Sequence, residues 1–205
     1  DGTLLNTLDD LADSVNYALK LNNFPCRKID EVRCFVGNGV GRLMKLSVPD
    51  ECSNEQYEKC LLDFRTHYSA NMHNKTCAYD GIMELLKKLY NKNYKMAIVS
   101  NKFDEAVKAL NKVYFQEYVK VAIGESENIS KKPAPDTVFK ALKELGSKAE
   151  NAVYVGDSEV DIMTAKNSSV KCISVTWGFR DMDTLKQYGA DLIIHAPNEL
   201  LSIVE

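Results

Sequence analysis

The sequence predicts an α/β protein: a parallel sheet with helices on both faces, and an all-helical segment inserted near its start. Three observations predict this class. After Cys77, short apolar runs alternate with helical patterns at the spacing of βαβ units. Several of those runs lack polar alternation, as strands covered on both faces do. Before Cys77 the periodicity is helical and no convincing strand intervenes. The expected division is a core of residues 1–8 and 79–205 around a helical insert of 9–78.

The chain opens on "DGTLLNT", in which Asp1 and Gly2 are ordinary turn formers. Leu8, Leu11, Ala12, Val15, Ala18 and Leu19 follow at three- and four-residue spacings and place one apolar stripe on a helix. In "VGNGVGRLM" the glycines at 37, 39 and 41 predict a flexible helix–helix turn. That stretch is no dinucleotide fingerprint, because no strand leads into it and Arg42 stands where the third glycine belongs. A further helix begins at "SNEQYEKCLLDF", where Ser53 and Gln56 have the spacing of a capping box. The strands expected beyond it are "KMAIVS", "YVKVAIG", "AVYVGD", "VKCISVT" and "DLIIH". The helices are "GIMELLKKLY", "EAVKALNKV" and "DTVFKALKEL".

Composition narrows the partners. Apolar residues make up 45% and charged ones 27% of the 205 residues, an ordinary globular balance. The net charge is -3 with basic residues scattered, which argues against a nucleic-acid surface. No signal peptide or membrane-spanning run is recognisable, so a cytoplasmic location is expected, with no membrane partner. The six cysteines form no Cys-x-x-Cys pair and are read as reduced thiols.

Open parallel sheets bind ligands beyond the carboxyl ends of their strands, and three such ends carry polar groups. "AVYV" leads into "GDSEVDI", with Asp157 and Asp161 four apart on one helical face. Asp157 either caps that helix or, as a carboxylate at a strand end, anchors magnesium. "KMAIV" leads into "SNK", where Ser100 and Asn101 either cap a helix or donate to phosphate oxygens. In "KKPAPD", Pro133 and Pro135 stiffen the backbone around Lys132. That lysine is either a solvated surface charge or a group that offsets charge in phosphoryl transfer.

Together, "DGT", Ser100, Lys132 and "GDSEVD" resemble the four motifs of the haloacid dehalogenase superfamily of phosphohydrolases. The resemblance spans the whole chain. "FVGNGVGRLM", "AYDGIMELLKKLY", "VSNK", "KKPAPDTVF", "YVGDSEVDI" and "VTWGFRD" are similar to its phosphoglycolate phosphatase-like members. The resemblance implies a Rossmann-like parallel-sheet core with a small helical cap inserted after the first motif. It implies Mg2+ as cofactor and a small phosphorylated substrate. Asp1 would serve as acid–base residue and lend a backbone carbonyl to the metal. Asp157 would be a metal ligand, with Asp161 nearby. Ser100 and Lys132 would hold phosphoryl oxygens with Asn101 beside them in the substrate site, and Arg42, on a cap loop facing the site, would touch a substrate carboxylate or phosphate. Trp177 could line the entrance, although packing is the more ordinary use of a lone tryptophan. The family's first motif reads Asp-x-Asp-Gly-Thr and its first Asp is the nucleophile. The nucleophile and an apolar strand are therefore expected immediately upstream of Asp1.

The function expected is hydrolysis of a small phosphomonoester, with 2-phosphoglycolate first, through an aspartyl-phosphate intermediate. Alternatives are an inorganic pyrophosphatase, a sugar-phosphate mutase and a non-catalytic phosphate-binding module. The chain is expected to be a monomer or homodimer.

Overall fold

The computed structural model describes residues 1–204. The chain forms two compact units: Leu5–Cys77 with Asp1, and Gly2–Leu4 with the chain from Ala78 onward. β1 (Leu5–Asn6) and β2 (Cys77–Ala78) pair where the chain enters and leaves the first unit.

That first unit is built from α1 (Leu8–Leu21), α2 (Ile29–Phe35), α3 (Gly39–Ser47) and α4 (Asn54–Asn71). All six positions of the predicted α1 stripe are buried, with Val15, Ala18 and Leu19 fully so. Burying one large aliphatic side chain contributes roughly 1.5–3 kcal/mol, whereas most helix propensities differ by less than about 1 kcal/mol. Packing, chiefly against α4 with its buried Leu61, Phe64 and Tyr68, therefore holds α1 in place. The capping box forms: Ser53 Oγ accepts from Gln56 N at 3.2 Å, and Gln56 Oε1 accepts from Ser53 N at 3.0 Å. The buried Asp10 carboxylate accepts from Lys75 N at 3.0 Å and from Thr76 N and Oγ1 at 2.8 Å. It ties the first turn of α1 to the chain just before β2.

The glycine-rich stretch differs from expectation. Only its first part is a turn, with Gly37 and Gly39 at positive φ. Gly41 and Arg42 lie within α3. Buried Leu43 and Met44, and the Tyr57 hydroxyl donating to Gly41 O at 3.0 Å, hold as helix what composition alone reads as a flexible loop.

The second unit runs α5 (Ile82–Asn91), β3 (Ala97–Phe103), α6 (Asp104–Tyr114), β4 (Val121–Glu125), α7 (Asp136–Leu145) and β5 (Val153–Gly156). It continues with α8 (Glu159–Asn167), β6 (Lys171–Val175), α9 (Met182–Gln187), β7 (Ile193–Ile194) and α10 (Leu201–Val204). Every pairing in this series is parallel. Ala97, Ile98 and Val99 of β3 face Val121, Ala122 and Ile123 of β4, while β5 pairs with β6 and β6 with β7. β3–β4 and β5–β6–β7 are separate ladders, so among the described residues β3 and β5 each keep one edge without a strand partner. Side chains still join the halves, since Val99 of β3 packs against the cluster of Val138, Tyr154, Ala165 and Val170. A second cluster sets Leu85 and Leu89 of α5 against Ile173, Val175 and Ile194. Among the described residues no helix is long and apolar enough to cross a membrane.

Candidate active site

Four of the polar residues singled out in the sequence meet at the ends of the parallel strands. β5 ends at Gly156, Asp157 follows in the turn, and α8 begins two residues later with Ser158 as its N-cap. Asp157 is therefore not the cap. Asp161, in the first turn of α8, reaches back: its Oδ2 accepts from Asp157 N and Ser158 N at 3.2 Å and from Ser158 Oγ at 2.6 Å. Gly156 makes this possible, because a Cβ there would overlap the Asp161 side chain.

Asp157 and Asp161 are only 3% and 5% exposed. Two carboxylates so deeply buried need compensation, and Lys132 supplies it. Its Nζ donates to Asp161 Oδ1 at 2.7 Å and to Tyr154 Oη at 3.0 Å, and Tyr154 Oη donates to the same Oδ1 at 2.8 Å. Of the two uses open to Lys132, the surface lysine is thus excluded, with 11% of the side chain exposed. Burial pulls its pKa down, but the Asp161 carboxylate and Tyr154 outweigh burial and raise it, so the ammonium stays charged. Burial pushes the Asp161 carboxyl up, yet Lys132 and the hydrogen bonds around it hold it below the usual carboxylate range. The Asp157 carboxyl is raised, first by burial and then by the charge of Asp161.

The Asn101 side-chain amide is engaged with the backbone of Lys132. Its Oδ1 accepts from Lys132 N at 2.7 Å and its Nδ2 donates to Lys132 O at 3.0 Å. Both ends of the amide thus clamp the lysine's backbone and tie β3 to the loop before α7. Ser100 Oγ accepts from Lys102 N at 3.1 Å, which leaves its own proton available to an oxygen ligand. Arg42 is exposed on α3 of the helical unit, and Asp1 is peptide-bonded to Gly2.

Three further contacts shape the surroundings of Asp157. Thr3 Oγ1 donates to its Oδ1 at 3.0 Å and Phe179 N to its Oδ2 at 2.9 Å. Trp177 packs against the α5–β6 cluster and donates its indole N–H to Thr3 O at 3.0 Å, so it braces the first motif. Gly2 and Gly178 approach so closely that a Cβ on either would overlap Asp157. The point a Gly178 Cβ would occupy lies 2.5 Å from both Asp157 Oδ2 and Gly2 O.

These are hard oxygen donors: the Asp157 carboxylate, with one hydrogen bond on each oxygen, near the Gly2 carbonyl. Among the described residues no three His, Cys, Asp or Glu side chains converge as a metal-holding group. Magnesium does not need them, since it takes one or two carboxylates and completes its shell with water and substrate phosphate. The donor set fits Mg2+.

A family model described as haloacid dehalogenase-like hydrolase matches residues 1–175 of this chain. The chain belongs to that family. Phosphoglycolate phosphatase of Aquifex aeolicus is 30% identical to this hydrolase over 206 residues, spanning 100% of this chain and 93% of that protein. Pyrophosphatase PpaX of Halalkalibacterium halodurans is 31% identical over 209 residues, with the same two coverages of 100% and 93%. A crystal structure from Lactobacillus delbrueckii subsp. bulgaricus matches with a TM-score of 0.94 at 32% identity, covering 100% of this chain and 95% of that one. The chain is an enzyme, phosphoglycolate phosphatase-like in sequence and fold.

Tyr154, Gly178 and the Thr3–Asp157 bond escaped sequence reasoning. Tyr154 reads as one more apolar strand residue, and nothing in "TWGFR" announces that its glycine lies against a carboxylate 21 residues earlier.

Proposed function

We propose that this hydrolase is a magnesium-dependent phosphatase of small phosphomonoesters, with 2-phosphoglycolate as its first substrate, acting through an aspartyl-phosphate intermediate in the cytoplasm. The observation that carries the proposal is the charged lysine held between Tyr154 and Asp161 at the strand ends, beside a buried Asp157 with coordination capacity to spare. In this reading Ser100 and Lys132 grip the phosphoryl oxygens, with Asn101 beside them in the substrate site while its side chain fixes the lysine's backbone. Asp157, with the backbone carbonyl of Asp1 as the family resemblance implies, would hold Mg2+, which when bound would offset charge on the transferring phosphoryl group. Asp1 protonates the leaving oxygen and then deprotonates water, the two halves of one acid–base cycle. The helical unit is the cap, and Arg42 on it meets the substrate's second anionic group. The Arg42→Ala variant should raise KM about tenfold, the worth of one hydrogen bond to a charged group, with kcat little changed. An unaltered KM removes Arg42 from the substrate site.

A second reading, inorganic pyrophosphatase, is favoured by one observation: the PpaX relative matches the whole chain as well as the phosphoglycolate phosphatases do. Phosphate release from the full-length protein, with and without Mg2+, should be compared across 2-phosphoglycolate, pyrophosphate and sugar phosphates. Fastest magnesium-dependent release from 2-phosphoglycolate supports the proposal, and preference for pyrophosphate selects the second reading. A bisphosphate requirement indicates a mutase. Phosphate binding without turnover indicates a non-catalytic module.

A further inference from the structure

The proposed function accounts for Lys132, Asp157 and Asp161 but leaves one buried polar group of the cluster without a task. Tyr154 is the second residue of β5, 7% exposed, with its ring among Val138, Ala165 and Val170. A phenylalanine would satisfy that packing. The hydroxyl is placed instead between an ammonium and a carboxylate, accepting from Lys132 Nζ at 3.0 Å while donating to Asp161 Oδ1 at 2.8 Å. Lys132 bonds the same Oδ1, so the three groups close a ring.

An ammonium has three N–H groups. One is fixed by Asp161, a second by Tyr154, and the backbone at both ends of the residue is fixed by Asn101. With one bond alone the ammonium could pivot about the Nζ–Asp161 axis. Two bonds to different atoms stop that rotation and leave the third N–H pointing in one direction. We infer that Tyr154 is a positioning residue, whose hydroxyl aims the remaining N–H of Lys132 at the phosphoryl group. This rests on the reading of Lys132 as a phosphate-binding residue. A lysine aimed in advance spends no reorganisation when negative charge develops, the condition under which such donors contribute most.

The test is a double-mutant cycle in the full-length protein with Mg2+, using Tyr154→Phe, Lys132→Met and the double variant. Two quantities are read: kcat/KM, under single-turnover conditions where activity is low, and the affinity for inorganic phosphate by calorimetry. Tyr154→Phe should lower kcat/KM and weaken phosphate binding about tenfold, because a small misplacement of a catalytic group has a large effect on rate. In the Lys132→Met background the same change should do almost nothing, since the group it aims is gone. A merely structural tyrosine would cost the same in both backgrounds, and that additivity overturns the inference. So does wild-type phosphate affinity in Tyr154→Phe. If Lys132→Met itself keeps phosphate affinity and rate, the phosphate-binding role of Lys132 is what fails. Should Tyr154→Phe not fold, 3-fluorotyrosine at 154 keeps the shape and the hydroxyl but makes a poorer acceptor. It should weaken phosphate binding in the same direction, and unchanged affinity counts against the role.

Discussion

Replacing Asp161 with alanine should destabilise the protein by about 3–5 kcal/mol, the range for breaking a buried ion pair from one side. The carboxylate accepts from Lys132 Nζ, Tyr154 Oη, Asp157 N, Ser158 N and Ser158 Oγ. Its removal leaves a buried ammonium and several polar hydrogens without their acceptor. Chemical denaturation measures the loss, and a change below about 1 kcal/mol, the scale of an exposed pair, would show that the ion pair is not load-sharing in this way. The double variant Lys132→Met/Asp161→Leu should regain most of the stability, because apolar residues of similar volume often replace a buried pair at little cost. It should remain inactive, which separates the structural from the chemical use of the pair.

The same pair sets a pH signature. Asp161 has a lowered carboxyl pKa in the fold, so its stabilisation is present above the unfolded value of about 3.9 and is lost as pH falls through the folded value. Lys132 is raised, so its share is present below the unfolded value of about 10.4 and is lost only as pH rises through the folded one. Asp161's share of the stability gap between wild type and Asp161→Ala should therefore shrink in acid, as pH falls from about 3.9 toward its lowered folded value.

Much of this was legible in the sequence, and the reasons for the rest are physical. The runs that form β3, β4, β5 and β6 carry enough Val, Ile and Ala to be read as strands, but β3 runs on through Ser100, Asn101 and Lys102 to Phe103, past the end its apolar run implies. The short α2 and α3 could not, because seven and nine residues give little periodicity and glycine argues against helix. The helical state of Gly41 depends on Tyr57, 16 residues away. Taken alone, Lys132 in a Lys-Lys pair reads more readily as a surface charge, and only its bond to Asp161, 29 residues later, places it inside. The Asn101 clamp was hidden for the same reason, since no spacing rule reveals that an amide beside a candidate hydroxyl bonds the backbone of residue 132. What the sequence withholds throughout is the long-range partner, not the residue type.

The second large effect is expected at a residue with no chemistry of its own. Gly178 to alanine should lower kcat/KM about a hundredfold and raise the Mg2+ concentration needed for half-maximal activity. The added methyl would overlap the Asp157 side chain and stand 2.5 Å from its Oδ2 and from Gly2 O. One side must move, and the loop cannot easily be the one. Trp177 is tied to Thr3 O, Phe179 N to Asp157 itself, and Arg180 forks onto Glu159 at the start of α8 with contacts of 2.8 and 3.3 Å. Asp157 is therefore displaced from the position in which Thr3 and Phe179 hold it. Gly189→Ala is the matched control. Its φ of +85° makes alanine strained by roughly 1–2 kcal/mol, but a Cβ there meets nothing within 4 Å. That variant should lose stability while keeping its activity and Mg2+ dependence. Trp177, the single tryptophan of the chain, gives a readout independent of turnover. Its fluorescence should respond to Mg2+ in wild type and Gly189→Ala, and at much higher concentration in Gly178→Ala. If Gly178→Ala binds Mg2+ and turns over like wild type, the loop does not set the position of Asp157, and the fit of Mg2+ to this cradle fails with it.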